Sequence, residues 1–188
     1  AVNVDLVFLM VDVDHFKSVN DAHGHHAGDE VLRQLASVLR SATRETDTVV
    51  RWGGEEFLVV GRNTCRKECA VLAERIRERV EAHEFRLDDG TILRRTCSVG
   101  FASYPVVGST PDHVEWEQVV DLADQALYAA KIGGRNAWVG LVARDDLGVD
   151  EVTRSPAQEL AALVERGAFE VRTSLPDASV LRWKAHKD

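Results

Sequence analysis

Thr48-Val-Val-Arg-Trp-Gly53-Gly54-Glu55-Glu56-Phe57-Leu-Val-Val60 is the stretch on which the fold turns. Two β-branched, apolar runs flank two glycines and two carboxylates, the pattern of a hairpin with the acids at its tip. Glycine has no Cβ, so it allows positive φ in a tight turn and lets a large ligand come close to the backbone. Adjacent carboxylates at a tip repel each other and stabilise nothing unless a cation or a donor answers them. A hard ion such as Mg²⁺ is the natural partner. Read locally, the stretch also fits a solvated turn carrying two ordinary surface acids.

Upstream, Val2 to Val13 is nearly continuous in Val, Leu, Phe and Met, as in a strand buried on both faces. A chain that opens inside such a strand reads as a piece of a longer one. Asp12 stands at the strand's carboxyl end, where a carboxylate is paired, ligates a metal, or, like Asp14, caps the following helix. His15 to Asp21 reads as a helical turn whose first N–H groups can cradle phosphate, with Lys17 at the same mouth. Taken alone, Lys17 and Asn20 also read as surface residues. An Asp12-x-Asp14 calcium loop is excluded, because Phe16 and Lys17 stand where it needs an oxygen ligand and a glycine.

His23-Gly24-His25-His26-Ala27-Gly28-Asp29 reads as a glycine-rich loop, and Glu30 to Ser41 as an amphipathic helix that Asp29 opens as cap or ligand. Three histidines in a loop without a fixed face make a weak transition-metal motif. Arg44 and Asp47 form a surface ion pair or an exposed fork for a phosphate or purine edge. Further amphipathic helices are expected over residues 66–83 and 115–132, and a second hairpin around Asp88-Asp89-Gly90, running on from Thr91 to Ala102. Lys131 and Arg135, near the end of the last of these helices, suit its dipole or an anion. Beyond Trp138 the chain changes character: a closing strand to Val142, a polar linker, a helix over 156–166, and strand with a turn at Pro176-Asp177.

Composition narrows the class. The 188 residues are 45% hydrophobic and carry a net charge of −8, which suits one soluble domain and removes a nucleic-acid backbone as main partner. The longest clear apolar run, Leu6 to Val11, is strand-sized, so neither a membrane span nor a signal peptide is expected. Cys65, Cys69 and Cys97 are odd in number and lack zinc spacing, which suggests reduced thiols in the cytoplasm.

The order of elements implies an α+β fold with a central, mostly antiparallel sheet flanked by helices. Over about residues 2–138 the chain resembles the GGDEF family, the diguanylate cyclase catalytic domain, whose fold is akin to nucleotidyl cyclases and polymerase palms. The resemblance rests on Asp12-Val-Asp14-His-Phe16-Lys17-Ser-Val-Asn20-Asp21, Gly24-His25-His-Ala-Gly28-Asp29, Arg51-Trp-Gly53-Gly54-Glu55-Glu56-Phe57, Ser98-Val-Gly100, and Ala123-Asp124-Gln-Ala126-Leu127-Tyr128-Ala-Ala-Lys131-Ile-Gly-Gly134-Arg135-Asn136. Residues 139–188 are set apart as an appendage.

The resemblance implies condensation of two GTP into cyclic di-GMP, with pyrophosphate leaving. It implies Mg²⁺, or alternatively Mn²⁺, on Asp12, the Val13 carbonyl and Glu55, with Glu56 completing the acidic site and either glutamate assisting proton removal. Asn20 and Asp29 would bind the guanine edge. The backbone of His15 and Phe16, with Lys17, Lys131 and Arg135, would hold phosphates, and Gly53 and Gly54 would lie against the nucleotide. Arg44 and Asp47, with Arg75 as a weaker candidate, match an inhibitory site for the cyclic di-GMP product. Catalysis would need a homodimer, since each domain holds one GTP, and an attached sensory domain is expected. Glutamate replaces the aspartate of the family name at position 55 and keeps the carboxylate. A silent domain that senses cyclic di-GMP or GTP is the alternative.

Overall fold

The computed structural model describes residues 5–184. At its centre lies β1 (Leu6–Val13), buried at every residue after Leu6; residues 2–4 of the expected strand lie outside the described residues. Its side chains alternate between two cores. Val7, Leu9, Val11 and Val13 meet α1 (Phe16–Ala42) and α2 (Cys69–Ala82) on one face, while Phe8 and Met10 meet α3 (Trp116–Ile132) on the other. An uninterrupted apolar run is what a strand covered on both faces requires.

Six strands make one sheet in the order β2-β3-β1-β6-β7-β8, with β2 (Thr48–Gly53), β3 (Glu56–Arg62), β6 (Cys97–Tyr104), β7 (Trp138–Ala143) and β8 (Phe169–Thr173). All neighbours pair antiparallel except β6 and β7, which run parallel. A parallel pair needs a crossover, and α3 supplies it. The α+β, mostly antiparallel architecture expected from the element order is the one observed. The hairpin read from residues 48–60 is present, with Gly54 and Glu55 as its loop and a register shift between Arg51 and Gly53.

Several local expectations are corrected. The region 23–29 is no loop: α1 runs from Phe16 to Ala42, broken only at Gly24 (φ 85°, ψ 165°). Phe16, Val19, Ala27 and Val31 are all buried, so both halves of the helix are pulled onto the sheet and the glycine takes up the kink. Asp29 therefore lies inside a helix and caps nothing. Neither Asp12 nor Asp14 caps α1, which starts from a left-handed His15 (φ 57°) without a side-chain cap.

The second hairpin, β4 (Glu84–Arg86) and β5 (Ile92–Arg94), forms a separate two-stranded sheet. Its expected second arm ends early, because Asp14 N–H donates to the Thr96 carbonyl and the chain then turns to pair Cys97 with Val13. Beyond residue 138 the chain is not set apart. β7 and β8 are strands of the central sheet, and α4 (Leu160–Glu165) buries Leu160 and Leu163 in the α3-side core. After β8 the turn at Pro176-Asp177 leads into a short 3₁₀ segment, not a strand. The three cysteines are free, and burial pushes the Cys69 thiol up to about 12 and Cys97 up as well, which keeps both unreactive.

Candidate active site

Antiparallel pairing places Asp12 of β1 directly opposite Glu56 of β3, and the two-residue loop puts Glu55 next to that pair. Three carboxylates from distant parts of the sequence thus meet at one corner of the sheet. Asp12 is 3% exposed; burial holds its carboxyl above the usual range, Lys131 pulls it back down, and Glu55 and Asp14 push it up again. Burial likewise raises Glu56, with help from Asp12 and Asp124. Such a corner is short of positive charge. One cation already answers it: Lys131 Nζ, at the end of α3, lies 2.7 Å from Asp12 Oδ2. The helix-end reading of Lys131 therefore gives way to an ion pair across the sheet. An all-carboxylate donor set suits a hard ion such as Mg²⁺ or Mn²⁺. Val13 follows Asp12 at the same strand end.

Asp14 has a different task. It accepts hydrogen bonds from Thr96 Oγ1 (2.6 Å), Ser98 Oγ (2.7 Å) and the Asn136 N–H (2.9 Å). These bonds tie β1 to β6 and to the chain leaving α3, and so hold Asp12 and Lys131 in place. This role carried no signal in the sequence beyond the spacing of the two aspartates.

The N-terminus of α1 starts at the same strand end, so its free N–H groups, His15, Phe16 and the exposed Lys17 border the acidic corner. Arg135 is exposed, adopts φ 63°, and its guanidinium has no partner among the described residues. Further along α1, a Cβ on Gly28 would stand 2.0 Å from Asn20 Oδ1. Glycine there leaves room for the Asn20 side chain against the helix one residue before Asp29, a function missed in the sequence although a glycine inside a helix is its mark. Asp29 borders a cleft of about 510 Å³ between α1 and the β2–β3 hairpin, the size of a small-molecule pocket. At the hairpin, Gly54 takes φ 45°, and a Cβ at either Gly53 or Gly54 would meet nothing within 4 Å.

The expected Arg44–Asp47 ion pair is absent. Asp47 accepts the backbone N–H groups of Arg44 (2.8 Å) and Arg62 (3.0 Å), so its carboxylate shapes the loop and leaves the Arg44 guanidinium without a partner among the described residues. Arg44, Asp47 and Arg75 line one cleft of about 140 Å³. Arg75 Nε donates to the Ala42 carbonyl at 2.6 Å, which fixes that side chain.

Two further charged groups lie beside Glu56: Lys184, which the sequence did not single out, and Asp124, read only as part of a motif. Asp124 of α3 adds to its negative field, and Lys184 returns from the C-terminal segment to pair with Asp124 and lie 5.7 Å from the Tyr128 ring centre. The raised Glu56 carboxyl has a consequence for stability. Its folded form binds a proton more tightly than the unfolded chain, so its contribution is fullest below the ordinary carboxyl range and is lost as pH rises through the raised value. Glu56→Gln should therefore melt a few degrees above the wild type at pH 7 without added metal, the gap closing toward about pH 4. Thermal melts at the two pH values check this.

Comparison with known proteins gives the following. The family model described as "Diguanylate cyclase, GGDEF domain" matches residues 2–137. Diguanylate cyclase A of Treponema denticola is 43% identical over 131 residues, 70% of this chain and 34% of that protein. Response regulator PleD of Caulobacter vibrioides is 41% identical over 136 residues, 72% of this chain and 29% of the relative. Among solved structures, the GGDEF domain of DgcB from Caulobacter crescentus in complex with c-di-GMP superposes with a TM-score of 0.63 at 33% identity, covering 71% of this chain and 75% of that one. The active GGEEF domain of a diguanylate cyclase from Vibrio cholerae gives 0.60 at 36%, covering 70% and 80%.

Proposed function

Because the chain belongs to the GGDEF family, we propose that it condenses two molecules of GTP into cyclic di-GMP and releases pyrophosphate. The observation that carries this reading is the meeting of Asp12, Glu55 and Glu56 with Lys131 at one corner, next to a helix N-terminus. The chain keeps the GGEEF spelling of the active Vibrio cholerae domain. It spans about a third of Diguanylate cyclase A and less of PleD, so what precedes or governs it in a longer protein, an attached sensory domain included, belongs to this proposal.

Asp12, Glu55 and the Val13 carbonyl would hold Mg²⁺ or Mn²⁺, which when bound neutralises triphosphate charge and lowers the pKa of a 3′-hydroxyl. The protein's own groups do the rest. The first N–H groups of α1, with Lys17, Lys131 and Arg135, hold and orient the phosphates. Asp29 accepts from the guanine N1–H and N2–H groups, and the Asn20 amide both donates and accepts at that edge. Glu55 or Glu56 takes the hydroxyl proton as the 3′-oxygen attacks the α-phosphorus of the second GTP. Each domain holds one GTP, so two copies must face each other, in the cytoplasm where GTP is made. Incubation with GTP and Mg²⁺ should yield the cyclic dinucleotide by mass spectrometry. Binding of GTP or of cyclic di-GMP without turnover would mark the domain as a sensor instead.

Two substitutions probe the parts. Gly28→Ala pushes Asn20 off its place, crowds the buried Phe16 ring, and should raise KM for GTP about tenfold or more, the cost of one hydrogen bond to a buried base edge. Steady-state kinetics against both GTP and inosine triphosphate check it. At the other cleft, Arg44 is free to take a phosphate or guanine edge of the product, which would inhibit by fixing domains in a nonproductive arrangement. Arg44→Ala should weaken cyclic di-GMP binding at least about tenfold in isothermal titration; unchanged affinity would reject the site.

A further inference from the structure

Glu30 and Asp88 lie outside both sites described above, and His26, on the rim of the cleft beside Asp29, joins them from its other side. His26 and Glu30 stand one turn apart on α1, facing the β4–β5 hairpin whose turn presents Asp88. A ligand atom from each lies within 4.8 Å of the other two. His26 Nε2 is 3.0 Å from Asp88 Oδ2, and Glu30 Oε1 accepts the Asp88 N–H at 3.0 Å. Glu30 is 5% exposed, yet one of its carboxyl oxygens lies within 4.8 Å of an Asp88 carboxyl oxygen.

Two acids in contact, one of them closed off from water, call for a positive charge between them. A proton or a protonated His26 answers this in part; a divalent ion answers it fully and uses the imidazole nitrogen as a ligand. One nitrogen and two carboxylates suit a borderline transition ion, whereas Mg²⁺ and Ca²⁺ favour oxygen alone. The open side leaves room for water to complete the coordination.

We propose that His26, Glu30 and Asp88 bind a divalent transition-metal ion of the zinc class, clamping the β4–β5 hairpin to α1. Beyond these Asp88 contacts, Gln34 anchors the hairpin to α1 by joining the Arg86 carbonyl and N–H at 2.7 and 3.0 Å. A bound ion would stiffen the half of α1 that begins after the Gly24 kink and carries Asp29. The two flanking histidines play no part in the cluster, which corrects the expectation that the whole His23–His26 run lacks a fixed face.

Titration of Zn²⁺ into the full chain, in excess Mg²⁺ so that the acidic corner is filled, tests the proposal by calorimetry. About one equivalent should bind with micromolar or tighter Kd and raise the melting temperature. His26→Ala and Asp88→Asn should each weaken binding at least tenfold, and both remain foldable because these side chains are 72% and 76% exposed. His25→Ala and Cys65→Ser should leave it unchanged. Co²⁺ in place of Zn²⁺ should give visible d–d bands without the near-ultraviolet band of a thiolate ligand. Equal Zn²⁺ affinity in the wild type, His26→Ala and Asp88→Asn, or no binding at all, would overturn the proposal and leave an ordinary surface ion pair.

Discussion

Glu55→Ala is expected to lower cyclic di-GMP formation by roughly a thousandfold, the scale on which removal of one preorganised electrostatic group slows an enzyme. The acid sits at the tip of the β2–β3 hairpin, half-buried, and no side-chain hydrogen bond among the described residues depends on it, so melting should stay close to wild type. Its loss leaves Asp12 with Lys131 alone, an ion pair that cannot also neutralise a triphosphate. Pyrophosphate release measured on a forced dimer checks the prediction. Activity within tenfold of the wild type would remove Glu55 from the chemistry.

Gly100→Ala should cost about 3 kcal/mol of stability and lower Tm by about 6–12 °C. A Cβ there would stand 2.0 Å from the Leu127 nitrogen and 2.2 Å from the Ala123 carbonyl oxygen. These are backbone atoms of α3, which cannot turn aside as a side chain does, so the whole helix must lift from β6. The effect reaches the site, since Lys131 lies at the end of α3 and would leave Asp12. Gly140 is a second close approach, because its Cβ would stand 2.0 Å from Cζ of the fully buried Phe101 ring. Melts of the purified variants decide; a Tm within about a degree of wild type would mean that α3 does not rest on Gly100.

Much of this was readable in advance because it depends on local pattern. An apolar run of strand length, a hairpin of β-branched residues around Gly53-Gly54, and the helical spacing of Val119, Leu122, Ala123, Ala126 and Leu127 each report burial residue by residue. The acids at positions 12, 55 and 56 were read from the same stretches, and pairing of β1 with β3 brought them together. What escaped depends on long-range partners. The run around Gly24 looks like a loop until Phe16 and Val19 are seen to need the same core as Val31. Asp14 looks like a cap until Thr96, Ser98 and Asn136 arrive from far along the chain. Asp47 looks like an ion-pair partner until the Arg62 N–H, fifteen residues on, claims it. Lys184 carries no motif, and only tertiary packing brings it beside Asp124 and Glu56.

The claim beneath all of this is that Asp12 and Glu55 serve one cation. Binding of Mn²⁺ with a non-reactive GTP analogue, followed by electron paramagnetic resonance in the wild type, Asp12→Asn, Glu55→Gln and the double variant, tests it through their coupling. If both acids grip the same ion, each single change weakens binding at least about tenfold and the double loses hardly more than either. Losses that simply add, or a loss on one side only, would contradict the shared corner.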